Sequence, residues 1–143
     1  MRVVMKNQLV LFLLMLTTPA IAQQHTETVT KVIDGDTFAI AADWSPYDLH
    51  WTVRILGIDT PEKGRLAKCE RERILSLKAT EMVRTLLSKD NRVRLSHVRH
   101  DKYGGRINAE VHLMDGRSIA DVLLEAKLAK RYNGNGPKPS WCF

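Results

Sequence analysis

The order of its segments constrains this chain's fold more than any other feature. Five short stretches read as β-strands, and one long stretch with helical spacing stands between the third and the fourth. Thr28 to Ile33 predicts the first strand, after a polar lead-in from Gln23 to Glu27. Asp34-Gly35 is a hairpin signal, and Asp36 to Ala41 predicts the return. Asp43 to Tyr47, with Pro46 inside, reads as a loop. His50 to Gly57 predicts a third strand with Trp51, Val53 and Ile55 on one face and Thr52, Arg54 and Leu56 on the other. Asp59-Thr60-Pro61-Glu62 ends it. Lys68 to Leu87 predicts a helix whose apolar stripe is Leu75, Ala79, Met82, Val83 and Leu86. Arg92 to His97 predicts the fourth strand and Arg106 to Leu113 the fifth, joined by a hairpin turn at Asp101-Lys102-Tyr103-Gly104-Gly105. Ser118 caps a second predicted helix, Ile119 to Lys127.

Two hairpin groups with a helix after the third strand fit an α+β, mainly β, fold: a five-stranded OB-fold Greek-key barrel with about two flanking helices. Such a barrel presents one face to nucleic acids, but a fold does not specify an activity.

Arg2 and Lys6, the apolar run Leu9 to Leu16, and Ala20-Ile21-Ala22 have the form of a secretory signal peptide cut after Ala22. Residues 23–143 then make one domain, with 133–143 an irregular C-terminal tail. Export to the periplasm or the extracellular space is expected, as a monomer with no stable membrane insertion after cleavage. The formal net charge of +6 falls to +4 when Arg2 and Lys6 leave with the signal. That modest excess fits an anionic partner, and it fits a solvated basic surface equally well. Cys69 and Cys142 are the only cysteines. In an oxidising compartment they could form a disulfide, with two free thiols as the alternative. They are too few for a typical structural zinc site.

Two acidic blocks stand out in this basic chain. Asp36 and Asp59 lie at strand ends, where carboxylates can converge on a hard cation, with Asp34 adding negative potential. The backbone carbonyl of Thr60 could complete an oxygen donor set. Ordinary turn chemistry accounts for the same residues. Glu62, behind the stiffening Pro61, could deprotonate a water, or it could be a surface glutamate. Arg54 and Arg106 are candidate phosphate clamps, because guanidinium offers paired donors and keeps its charge. A salt bridge from Arg54 to Asp34 or Asp59, and a solvated hairpin arginine at position 106, are the structural alternatives. The five histidines form no metal set. No Ser-His-Asp set, Gly-rich phosphate loop or nucleotide fingerprint is evident.

Taken in order, V-I-D-G-D-T (Val32 to Thr37), V-R-I-L-G-I-D-T-P-E (Val53 to Glu62), D-K-Y-G (Asp101 to Gly104) and D-V-L-L-E-A-K-L-A-K (Asp121 to Lys130) resemble the staphylococcal-nuclease-like (thermonuclease) family. The resemblance spans Val29 to Tyr132. It implies an OB-fold barrel and calcium-dependent cleavage of DNA and/or RNA. Asp36 and Asp59 would bind Ca2+ with the Thr60 carbonyl, Arg54 would bind phosphate and Glu62 would be the general base. Asp34 would be an accessory acid, and Lys102 and Tyr103 would contact substrate. The family's second catalytic arginine follows the glycine of D-x-Y-G directly. Here Gly105 intervenes before Arg106, so either a bulge absorbs it or Arg106 turns to the wrong face. The family's third helix has no counterpart in the pattern after Tyr132. The expected function is a secreted calcium-dependent nuclease with little sequence preference, acting endonucleolytically and leaving 3′-phosphates. The alternatives are a catalytically inactive OB-fold nucleic-acid-binding module and a structural protein of the cell envelope.

Overall fold

Strand alternation closes into a barrel. The computed structural model describes residues 23–41 and 50–143. The expected leader, 1–22, and the loop Asp43 to Tyr47 lie outside the described residues. Strands β1 (His25–Val32), β2 (Thr37–Ala41), β3 (His50–Ile55), β5 (Arg92–His100) and β6 (Arg106–Leu113) close in the order β1-β2-β3-β6-β5. All neighbours are antiparallel except β3 and β6, which run parallel. Helix α1 (Glu70–Leu86) stands between β3 and β5, and α2 (Ile119–Glu125) follows β6. This is the expected five-stranded OB-type barrel with two helices.

The inward positions of the strands make the core. Phe38, Val53, Ile55, Val93, Leu95, Ala109 and Val111 are almost wholly buried, and each large aliphatic or aromatic side chain among them contributes about 1.5–3 kcal/mol. Ala79 and Val83 of α1 and Ile119 and Leu123 of α2 cover the barrel. Ser118 caps α2 by accepting from the Asp121 N–H at 3.2 Å, as expected.

Several boundaries differ from the sequence reading. β1 begins at His25, inside the expected lead-in, because His25–Thr28 pair with Arg92–Leu95 and close the barrel. β3 stops at Ile55, where Leu56-Gly57 turn the chain into a two-residue strand, β4 (Ile58–Asp59). Its partner is β7 (Lys130–Arg131), far along the chain. β5 runs on to His100 through a register shift near His97, which has φ 51°. Both helices are shorter than predicted, α1 by its first two residues and last one, α2 by its last two.

Cys69 and Cys142 form a disulfide across a separation of 73 residues. It fixes the C-terminal tail beside the start of α1. Residues 133–143 contain no helix or strand, yet Trp141 is buried. Among the described residues no helix is long and apolar enough to cross a membrane.

The tip of the β1–β2 hairpin is pressed against α1. A Cβ at Gly35 would lie 2.7 Å from the Ala79 Cβ and 3.0 Å from the Thr60 side chain. No L side chain fits there without moving the hairpin from the helix. Gly35→Ala should therefore destabilise the protein by about 1–3 kcal/mol, as overpacking generally does. Urea denaturation measures this, and an unchanged midpoint would show that the hairpin tip is not clamped.

Candidate active site

Arg54 is the hub of the site. Its neighbours Val53 and Ile55 point into the barrel, so alternation turns Arg54 outward, paired between Thr37 of β2 and Asn108 of β6. Its Nη1 donates to Asp36 Oδ1 at 2.9 Å and its Nη2 to Asp59 Oδ1 at 3.2 Å. Asp36 closes the Asp-Gly-Asp turn just before β2. It also accepts from Thr37 Oγ1 at 2.8 Å, and its Oδ2 accepts from the Thr60 backbone N–H at 3.1 Å. Asp59 comes from β4. The two carboxylates, 18 and 5 residues from Arg54 in the chain, are both almost wholly buried.

Burial of this kind has an electrostatic consequence. The Asp36 carboxyl is pushed up from 3.8 to about 6, chiefly by burial. Arg54 opposes the shift, Asp34 adds to it, and the hydrogen bonds from Thr37 and Thr60 do not reverse it. For Arg54, burial alone would lower the guanidinium, and Asp36 and Asp59 more than compensate, holding it above its ordinary range. Two buried carboxylates thus share one guanidinium. Their oxygens are hard donors of the kind that could hold a divalent cation. Asp34 is itself tied into the turn, where its Oδ1 accepts from the Asp36 N–H at 3.2 Å.

Glu62 lies on the loop after β4, and three features hold that loop. Pro61 is fully buried. Lys63 Nζ donates to the Ile33 carbonyl at 2.6 Å. Glu72, buried in the first turn of α1, accepts from the Glu62 N–H at 3.2 Å and the Lys68 N–H at 2.7 Å. Sequence reasoning missed Glu72. Its signal was an acid at the third position of a helix, where a carboxylate meets free N–H groups.

A cavity of about 560 Å³ opens beside these groups, lined by Arg54, Asp101, Lys102, Tyr103, Arg106, Asn108, Tyr132, Gly134 and Lys138. The structure brings Arg106 into the wall that Arg54 occupies. Gly105 takes φ +72° in the turn before β6. Arg106 then enters β6 opposite Thr52, two residues before Asn108, which stands opposite Arg54. Arg106 is anchored by two bonds to Asp101, at 2.9 and 3.2 Å, and stacks 4.6 Å from the Tyr103 ring centroid. Lys102 Nζ lies 5.2 Å from the same ring.

Lys138 was also missed by sequence reasoning. Its ammonium bridges Asp59 Oδ1 at 3.1 Å and Glu62 Oε1 at 2.5 Å. Burial would lower it, but Glu62 and Asp59 together hold it above its ordinary value. Nothing in a Gly- and Pro-rich tail marks one lysine for this position.

The family model for staphylococcal nuclease homologues matches residues 52–140, more than half of the chain. The chain belongs to the staphylococcal nuclease family. No curated protein matches it. The span matched to this nuclease family holds Arg54, Asp59, Glu62, Arg106 and Lys138, whereas Asp36 and its turn lie ahead of it. Asp36 joins the site through its bonds to Arg54 and Thr60.

Two outcomes follow from this geometry. In Glu72→Gln one carboxylate oxygen becomes an amide nitrogen, so one of the two backbone N–H groups loses its acceptor. A loss of about 1–3 kcal/mol is expected, with faster amide exchange at Glu62 or Lys68; unchanged exchange at both would remove Glu72 from this role. The second outcome concerns pH. Because the folded Asp36 carboxyl sits at about 6 against 3.8, the fold binds more protons than the unfolded chain between these values. Its contribution to stability is therefore greatest below about 4 and is lost as pH rises through 6. In chelator, Asp36→Asn should remove a decline on the order of 3 kcal/mol across this window. Identical pH–stability curves for the two proteins would contradict the assignment.

Proposed function

We propose that this protein is a calcium-dependent nuclease that hydrolyses phosphodiester bonds of DNA and/or RNA with little sequence preference. The observation that carries the reading is the meeting of Asp36 and Asp59 at Arg54, with Glu62 joined to Asp59 through Lys138, beside a cavity that Arg54 lines together with Arg106, Lys102 and Tyr103. Acidic groups at one edge suit a metal, and basic groups with an aromatic ring suit a phosphate and a base or sugar. Membership of a nuclease family supports the same reading.

Asp36, Asp59 and the Thr60 carbonyl would hold the cation, which would supply charge neutralisation and polarisation of the phosphate. Arg54 spends one N–H on each carboxylate, so further N–H groups of its five remain for the phosphate. Arg106, fixed by Asp101 and Tyr103, presents a second guanidinium from the same wall of the cavity. Both become more valuable as negative charge grows on the equatorial oxygens in the transition state. Glu62 orients a water and takes its proton for in-line attack on phosphorus. Release of the 5′ oxygen and a 3′-phosphate product, in an endonucleolytic mode, follow the family resemblance. Recognition of backbone rather than base edges gives the weak sequence preference.

We also read the chain as an exported monomer, cleaved after Ala22 and acting in the periplasm or outside the cell. The Cys69–Cys142 disulfide supports export, since such bonds persist in oxidising compartments.

A second reading, a nucleic-acid-binding module without activity, is favoured by one observation: Lys138 is paired with both Asp59 and Glu62. Purified residues 23–143 incubated with plasmid DNA and with total RNA, in calcium or in chelator, separate the two. Cleavage that needs calcium is expected. Glu62→Gln should lower kcat by roughly 10²–10⁴-fold, the usual scale of general base catalysis, and Arg106→Ala by about 10²–10³-fold, as for an oxyanion donor. Tight binding without cleavage would establish the module instead. A near-normal rate in Arg106→Ala would remove that residue from the site.

A further inference from the structure

We propose that Lys138 is a tethered cation that competes with the metal for Asp59 and so sets the metal affinity of the site. The inference rests on the calcium reading above.

The ammonium of Lys138 touches Asp59 Oδ1 at 3.1 Å, the same oxygen that accepts from Arg54 Nη2 at 3.2 Å. It also touches Glu62 Oε1. One side chain therefore bridges a proposed metal ligand and the proposed base. Two cations held at ordinary hydrogen-bond distance from one carboxylate oxygen leave little room and little charge for a third.

The contact is built rather than casual. Lys138 lies between Pro137 and Pro139, which fix their own φ and bias the lysine backbone to an extended form. The segment around it is pinned at several points. Tyr132 Oη donates to the Gly136 carbonyl at 3.0 Å, Lys130 Nζ donates to the Ser140 carbonyl, Trp141 is buried, and Cys142 is bonded to Cys69. Lys130 stands directly opposite Asp59 in the β4–β7 pair. The strand pair that fixes the carboxylate thus also roots the arm that reaches it.

Charge decides the direction of the effect. Asp34, Asp36, Asp59 and Glu62 face Arg54 and Lys138, a local balance of minus two. Entry of a divalent cation at Asp59 brings it against the Lys138 ammonium, so the ammonium must leave that oxygen or weaken the binding. Lys138 can leave at modest cost, because its side chain is 43% exposed while that of Asp59 is 1% exposed. Binding and displacement are linked reciprocally: the metal loosens Lys138 by the factor by which Lys138 weakens the metal.

Isothermal calorimetry with calcium chloride alone, on residues 23–143 and on the Lys138→Met variant, tests this without any turnover. The variant should bind calcium about tenfold more tightly, within the range of such couplings. Independently, acylation of Lys138 in the unaltered protein, followed by peptide mass mapping, should become faster when calcium is added. Equal or weaker affinity in the variant overturns the proposal and leaves the calcium reading standing. Unchanged acylation in a protein that binds calcium also overturns it. Absence of calcium binding in both proteins removes the calcium reading, and this proposal with it.

Discussion

Asp36 and Asp59 are both held out of water, with the guanidinium of Arg54 shared between them. Taking an ion out of water costs several kcal/mol even after relaxation. A close opposite charge at an effective dielectric near 20 returns roughly 4 kcal/mol. Arg54 divides its charge between two carboxylates and Lys138 meets Asp59, so the balance is left short at Asp36. The raised Asp36 carboxyl, at about 6, is where that shortfall is visible. Much of the surrounding structure is arranged so that this cluster neither relaxes into solvent nor falls apart.

That support comes from both sides of the cluster. On one side the β1–β2 hairpin brings its tip so close to α1 that only glycine fits at position 35. On the other, the loop after β4 is caught by the β4–β7 pair, by buried Pro61 and by the Glu72 carboxylate. Glu72 has two roles at once. It meets the positive end of α1, and it satisfies two loop N–H groups that would otherwise go without a partner. Helix, loop and hairpin therefore share one set of contacts, and the carboxylates sit where the three meet.

The strand alternation of β3 was legible because it is a local property: Val53 and Ile55 inward requires Arg54 outward. The same holds for the Asp-Gly-Asp turn, the apolar stripe of α1 and the Ser118 cap. What was not legible depends on distant pairing. His25–Thr28 is polar and resembles a lead-in until Arg92–Leu95 lies beside it. β4 and β7 are two residues each and are defined only by one another. The place of Arg106 turned on whether a glycine would adopt a positive φ, and glycine makes both answers available at small cost. The α1 stripe was identified by its apolar members, whereas Glu72, Ser76 and Thr80 are also buried on that helix: Glu72 accepts from loop N–H groups, and Ser76 and Thr80 donate to carbonyls one turn back in the helix.

Lys138 shows the same limit in its strongest form. Ordering an irregular tail costs about 1–2 kcal/mol of backbone entropy per residue, so a Gly- and Pro-rich end reads as free unless something holds it. Here the cost is reduced in the unfolded state by Pro137, Pro139 and the disulfide, which restrict the chain before it folds. It is offset in the folded state by burial of Trp141 and by the bonds at Gly136 and Ser140. None of these devices names Lys138. They fix the arm, and the lysine then has two carboxylates, on β4 and on the loop after it, within reach. The chemistry at this edge of the cavity is therefore a property of the closed fold, set jointly by the pairing of β4 with the distant β7 and by a disulfide that lies outside both acidic motifs.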